Sequence, residues 1–168
     1  MKILIISDTH SHLDDRIISY SEKVDEIWHA GDIGSTEVIE LLKKKNKVKV
    51  VYGNIDDQKV RSLYKEYLYF FCKNVSILLI HIAGKPLYYN KKTNELIKKY
   101  KPKVLVCGHS HILKVLNDKK NNLTYINPGA AGLFGFHKKR TMIKLEINYE
   151  HLEKIEVIEL NKFNKKLP

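Results

Sequence analysis

"KVLVCGHSH", residues 103–111, runs from an unbroken apolar segment straight into a glycine and two histidines. A short apolar run of this kind reads as a strand buried on both faces, as in a sheet covered on each side. The whole chain has eight histidines, and two of them stand here within four residues at the strand's carboxyl end. In α/β sheets, binding groups collect in the crevice beyond the carboxyl ends of strands. The stretch therefore prompts a search for other strands that end in the same way.

Four more are found. Asp8 and His10 follow an apolar run in "SDTH", Asp32 closes "HAGD", Asn54 stands in "YGNID" and His81 in "LLIHIAG". With His109 and His111, that makes seven polar side chains at five strand ends. A bland reading takes Asp8 and Asp32 as turn or cap residues and His81 as a satisfied core histidine. It leaves unexplained why all of them follow apolar runs, where unpaired polar groups are costly.

Between these stations the periodicity predicts alternating elements. Residues 2–6 read as a strand, "DRIISYSEK" as a helix, "VDEIWHA" as a strand, "STEVIELLKKK" as a helix with a Ser or Thr cap, and "KVKVVYGN" as a strand. "YLYFF" and "VSILLIH" read as neighbouring strands, and "NKKTNELIKKY" as a helix stopped near Pro102. "HILKVLND", "NLTYINPG", "RTMIKLEINY" and "HLEKIEVIEL" alternate as strands with no comparable helix between them. The expectation is an α/β fold of two sheets flanked by helices, the first half partly parallel and the second antiparallel. Residues 1–160 are expected to form one domain, followed by a short basic tail at 161–168.

Composition narrows the function. Apolar residues make up 43% of the 168, enough for a globular core. No apolar run suits a secretory signal or a membrane span, and Cys72 and Cys107 sit in or beside apolar runs as buried thiols would in a reducing compartment. A cytoplasmic protein without membrane contact is expected. The net charge of +11 arises from 30 Lys and Arg against 19 Asp and Glu. Its lysines are scattered and lack interleaved aromatic platforms, so solvated surface is the reading and nucleic acid is not an expected partner.

Two carboxylates, one amide oxygen and four imidazoles form an O and N donor set that suits Mn²⁺, Fe²⁺, Zn²⁺ or Ni²⁺. Seven ligands exceed what one ion with an open position needs, and suffice for two if a carboxylate bridges them. Two divalent ions less two carboxylates leave a charge of about +2 awaiting an anion.

In order, "DTH" (8–10), "GD" (31–32), "GN" (53–54), His81, "GHSH" (108–111) and "NPGA" (127–130) resemble the calcineurin-like metallophosphoesterases. Within them the chain is similar to the small prokaryotic phosphodiesterases related to the retromer scaffold subunit. The resemblance implies a four-layer αββα fold. It also implies a dinuclear site in which Asp8, His10 and His111 hold one metal, Asn54, His81 and His109 hold the other, and Asp32 bridges them. Manganese is the first expectation for both ions, with nickel, iron or zinc as alternatives. A metal-bridging hydroxide would attack the phosphorus of a small-molecule phosphodiester, with Asp32, Asn54, His109 and Asp56 in the catalytic set. Gly108 would let backbone and ions approach closely. The alternative implied by the same relatives is a metal-binding scaffold or interaction module with little catalysis. Oligomeric state is not readable.

Many family members carry a histidine after the "GN" asparagine that assists substrate binding or protonates the leaving group. Here that position is Ile55, although Asp56 remains where the family often keeps an acid to orient it. Protonation commonly contributes about 100- to 10,000-fold, so aryl or activated diesters should be better substrates than alkyl monoesters. His12, His29 and His137 are each either a substitute acid or an ordinary histidine, at the surface or supporting a metal-binding imidazole from behind. Asn127 and Gly129 make either a rigid turn or a phosphate contact. Arg140 is read as a surface residue in preference to a phosphate clamp.

Overall fold

A computed structural model describes residues 1–160; the segment 161–168, set apart by its sequence as a tail, lies outside the described residues. β1 (Lys2–Ile6) shows why its sequence has no polar face. Ile3 and Ile5 enter one core and Leu4 and Ile6 another, and all four are fully buried. Successive side chains on a strand point to opposite faces, so a sheet covered on both sides demands an unbroken apolar run.

The remaining elements follow as α1 (Asp15–Ser21), β2 (Glu26–His29), α2 (Thr36–Lys43), β3 (Lys47–Val50), α3 (Gln58–Leu63), β4 (Tyr67–Cys72) and β5 (Val75–Ile80). Then come the short pair β6 (Gly84–Lys85) and β7 (Tyr88–Tyr89), α4 (Lys91–Tyr100), β8 (Val104–Val106), β9 (Lys114–Asp118), β10 (Leu123–Asn127), β11 (Arg140–Asn148) and β12 (His151–Leu160). One sheet has the order β12-β11-β1-β2-β3 and the second β4-β5-β8-β10-β9. Ile3, Ile5 and Trp28 from the first meet Ile77, Leu79, Val104 and Val106 from the second in the central core. Leu4, Ile6 and Ile27 cover the outer side of the first sheet together with Ile17 of α1 and Ile39 and Leu42 of α2. Leu78, Leu105 and Tyr125 of the second sheet pack with Leu96 and Ile97 of α4. Three cores separate four layers, αββα, as expected.

The division into a parallel half and an antiparallel half does not hold. β1, β2 and β3 are parallel, but so are β5, β8 and β10, while β4 and β9 pair antiparallel at the edges of the second sheet. The carboxyl-terminal hairpin β11–β12 returns to the first sheet, with β11 antiparallel to β1. Alternation along a strand reports which faces are covered, not which strand lies alongside, and so could not reveal this exchange.

Helix ends follow local chemistry. Asp14 caps α1 by accepting from the Ile17 amide at 3.1 Å, and Asn90 caps α4 by accepting from the Thr93 amide at 2.8 Å. α4 ends at Tyr100, with Lys101 in the left-handed region ahead of Pro102. Ser35 takes the N-cap position of α2, as expected of a serine or threonine there, but its hydroxyl bonds to Glu37 and not to a backbone amide, and α3 has no counterpart in the sequence reading. No helix among the described residues is long and apolar enough to cross a membrane.

Candidate metal centre

Register brings the strand ends level. Ile6 lies opposite His29 and His29 opposite Val50, so the loops carrying Asp8, Asp32 and Asn54 leave the first sheet side by side. Leu79 lies opposite Val106 and Val106 opposite Ile126, which does the same for the loops carrying His81 and His109. Backbone bonds then stitch the loops together: the Asp8 amide donates to Gly31 O at 2.9 Å, the His10 amide to Asp32 O at 3.1 Å and the Gly108 amide to His81 O at 3.0 Å.

Side chains from all five stations meet. Ligand atoms of Asp8, His10, Asp32 and His111 lie within 4.8 Å of one another, and so do those of Asp32, His81 and His109. Asp32 belongs to both groups. Asn54 joins the second, its Oδ1 lying 3.1 Å from His81 Nε2, as does Asp32 Oδ1. In the first group, His111 Nε2 is 3.2 Å from Asp8 Oδ1 and 3.5 Å from His10 Nε2.

Holding these side chains inward bends the backbone. Ten non-glycine residues among those described have positive φ, and Asp8, His10, Asp32, His109 and His111 are five of them. Such conformations are uncommon outside glycine and gather where the surrounding structure over-determines a functional loop. Gly108 meets a different demand: a Cβ there would overlap Ser7 Oγ and crowd Asp8.

Charge interactions follow the geometry. Burial raises the Asp32 carboxyl, but the hydrogen bond and charge of His81 and the Ile55 amide outweigh it and leave Asp32 below the ordinary carboxylate value. For His81, burial opposes the charged form, yet Asp32 and Asp8 prevail and hold it above the ordinary imidazole value. The Asp8 hydrogen bond raises His111, whereas burial and the His81 charge lower His109.

The donor set fits divalent cations. His81 Nδ1 faces the carbonyl of Ala30 at 2.7 Å, and a carbonyl only accepts, so Nδ1 carries the proton. In the neutral ring Nε2 is then bare, and it faces two more acceptors, Asp32 Oδ1 and Asn54 Oδ1. Three lone pairs converging in this way call for a proton on Nε2 or for a cation between them, and the carboxylate, amide and imidazole donors suit a divalent cation.

A cleft of about 500 Å³ opens on these residues. Its floor is polar, from His10, Asp32, Asn54, His109 and His111, whereas Ile55, Ile112 and Phe136 form an apolar rim. Phe136 projects fully into solvent, and Ile55 and Ile112 are exposed.

Asp56 lies beneath the floor, buried, with one carboxylate oxygen accepting from the Gly34 amide at 2.8 Å and the other from the Gly53 amide at 2.7 Å. His137 lines the cleft; His12 turns to Asp14 at 3.6 Å and does not line it. His29 lies wholly buried behind the "DTH" loop, with Nε2 2.9 Å from Thr9 Oγ1. Asn127 holds the "GHSH" loop by donating to Gly108 O at 2.8 Å and Ser110 Oγ at 3.1 Å, while accepting from the Gly129 amide at 2.9 Å. The turn amides of Ala131 and Gly132 are used by Ser7 O and Asp8 O.

Arg140 is neither a surface residue nor a phosphate clamp. It is 1% exposed, donates from Nε to Ala131 O at 2.7 Å and pairs with Asp14 Oδ2 at 2.7 Å through Nη1. The lysines around it in sequence conceal that it begins a strand between two cores. Replacing Arg140 by Met is expected to cost about 2 kcal/mol in urea unfolding, since it strands a partly solvated Asp14 without its partner.

Arg61, Thr9 and Ser7 were not singled out by the sequence. Arg61 donates from Nε to Asp56 O at 2.7 Å and from Nη2 to Asn54 O at 2.9 Å, fastening the "GN" loop to α3. Nothing in the sequence signals this, because α3 itself is not visible there. Thr9 donates to Ile33 O at 3.0 Å and Ser7 to Ala30 O at 3.2 Å. Their position on either side of Asp8 was the available signal.

The model of the calcineurin-like phosphoesterase superfamily domain matches residues 1–150. No curated protein matches the chain by sequence. Among solved structures, wild-type Vps29 complexed with Zn²⁺ from Entamoeba histolytica is 18% identical, with a TM-score of 0.73 over 95% of this chain and 98% of that one. A novel archaeal phosphodiesterase is 22% identical, with a TM-score of 0.75 over 95% and 100%. A predicted phosphoesterase from Streptococcus pneumoniae is 22% identical, with a TM-score of 0.71 over 94% and 88%. The fold is thus shared with Vps29 proteins and with predicted phosphoesterases. A family model spanning most of the sequence, on a four-layer fold whose strand ends gather these side chains, places the chain in the calcineurin-like phosphoesterase superfamily.

Proposed function

We propose that the protein is a phosphodiesterase dependent on two divalent cations, acting on small diesters with a good leaving group. The observation that carries this reading is the position of Asp32, common to both ligand groups. Asp8, His10 and His111 would hold one cation and Asn54, His81 and His109 the other, with Asp32 between. Bound there, two divalent cations, manganese first, would supply Lewis acidity to the phosphoryl oxygens and acidify a water for in-line attack. Zn²⁺ on the similar Vps29 supports divalent binding by this fold.

The chain's own residues position and select. Asp56 fixes the loops of Asn54 and Asp32 through the two glycine amides rather than by touching substrate. His109 and Asn54 face the cleft, where a nonbridging oxygen can reach them. Ile55 supplies no proton to a departing alkoxide, and with Ile112 and Phe136 it offers apolar surface to an organic leaving group. Both features favour aryl diesters, whose phenolate departs unaided.

Metal-free protein restored separately with Mn²⁺, Ni²⁺, Zn²⁺, Fe²⁺ or Mg²⁺ should turn over aryl diesters faster than aryl or alkyl monoesters, and fastest with Mn²⁺. Replacing Ile55 by His should raise turnover of alkyl esters by up to about 100-fold while changing aryl diesters little. A monoester preference with every metal would overturn the substrate assignment. Fully metal-loaded protein inert toward all of these esters and toward cyclic nucleotides would favour the scaffold reading that the likeness to Vps29 suggests.

A further inference from the structure

We infer that His137 is a positioning residue that fixes the ring orientation and tautomer of His111. This rests on the reading of His111 as a ligand. His137 Nε2 lies 3.2 Å from Gly132 O, and the carbonyl can only accept, so Nε2 carries the hydrogen. The neutral ring is then bare at Nδ1, which faces His111 Nδ1 at 3.3 Å. Once a cation occupies Nε2, His111 carries its hydrogen on Nδ1 and donates there, while Nε2 points toward Asp8 Oδ1 and His10 Nε2, where the ligand atoms gather.

The contacts continue to Asp8. The amide of Gly132, whose carbonyl receives the His137 hydrogen, donates to Asp8 O at 3.0 Å. Hydrogen bonds thus run from His111 through His137 and Gly132 to the Asp8 backbone, and tie the exposed 133–137 loop to the cleft, while a cation between His111 Nε2 and Asp8 Oδ1 would close the circuit. Gly135 makes room for it: at its φ of 127° a side chain is strained, and a Cβ would overlap His111 Nδ1 and touch His137 Nδ1. Liganding imidazoles commonly donate their second N–H to a partner that fixes their tautomer. Here that partner is itself a neutral imidazole, supplied by a loop with no ligand of its own.

Three measurements test the assignment. In nitrogen-15 spectra of the Zn²⁺-loaded wild type, the His111 Nδ1–H should appear as a proton protected from exchange with solvent. In the His137→Ala variant that proton should exchange too fast to be seen. Titration calorimetry with Mn²⁺ should show one of two binding steps weakened about 10- to 100-fold in His137→Ala and the other unchanged. His137→Gln, whose amide offers one acceptor and one donor like the neutral ring, should recover most of the lost affinity.

A His111 Nδ1–H that exchanges freely in the Zn²⁺-loaded wild type, or unchanged Mn²⁺ affinities in His137→Ala, would overturn the proposal. Poor diester turnover alongside the expected protected proton and calorimetry supports it, and counts against the phosphodiesterase reading alone.

Discussion

Asp32→Asn should abolish phosphodiester hydrolysis, with turnover falling by at least about 100-fold under every metal. Among the described residues no other carboxylate belongs to both ligand groups, so removing its charge weakens both cation positions at once. The change is nearly isosteric, and an amide oxygen can still accept from the Ile55 amide, now at 3.1 Å from Asp32 Oδ1. Metal-free Asp32→Asn should still unfold cooperatively, at a somewhat lower denaturant concentration than the wild type because His81 loses its charged partner. What should vanish is stabilisation by added metal. A cation at 100 times its dissociation constant stabilises a fold by about 2.7 kcal/mol per site, so wild type and variant should separate clearly in melts with Mn²⁺. Turnover within a few-fold of wild type, or an undiminished Mn²⁺ shift, would remove the shared carboxylate from the account of the site.

Acid should destabilise the metal-free protein well before its carboxylates titrate, by about 3 kcal/mol between pH 6.5 and 4. The source is His29, whose burial pushes its imidazole from 6.5 down to about 4, the nearby Asp56 and Asp8 charges opposing only in part. Its partners require the neutral ring: Nδ1 accepts from the Gly31 amide at 3.2 Å, so Nε2–H is left to donate to Thr9 Oγ1. With a depressed folded value, its contribution is complete above 6.5 and drains away as the unfolded chain takes up a proton, ending near 4. A shift of that size corresponds to about 3 kcal/mol.

Neighbouring groups leave this window readable. His81 and His111 are raised, so their contribution is complete below 6.5 and is lost only as pH rises further. Asp14, Asp32 and Asp118 are lowered from 3.8, so theirs is lost only below that value. His109, lowered by burial and by His81, adds in the same direction as His29. Urea unfolding across this range should show the slope in the wild type and a much shallower one in His29→Gln. Equal slopes would relocate the acid sensitivity away from His29.

The sequence's reach differed from element to element. β1 and β8 were legible because burial on both faces permits only unbroken apolar runs, and α4 because Asn90 and Pro102 bracket it. α3 escaped notice since six residues with one buried side chain carry no usable period. His137 was no more than one candidate among three, because its role depends on a carbonyl and a second ring that adjoin it only after folding.

By itself, the sequence determined which side chains stand at strand ends and what chemistry they carry, since both follow from hydrophobic period and residue type along the chain. Tertiary structure alone decided that β11 and β12 close the first sheet, that Arg140 is buried against Asp14, and that Asp32 stands between two groups of ligands. Those outcomes depend on which surfaces meet across the sheets, and residues far apart in sequence acquire that relation only when the cores between the layers form.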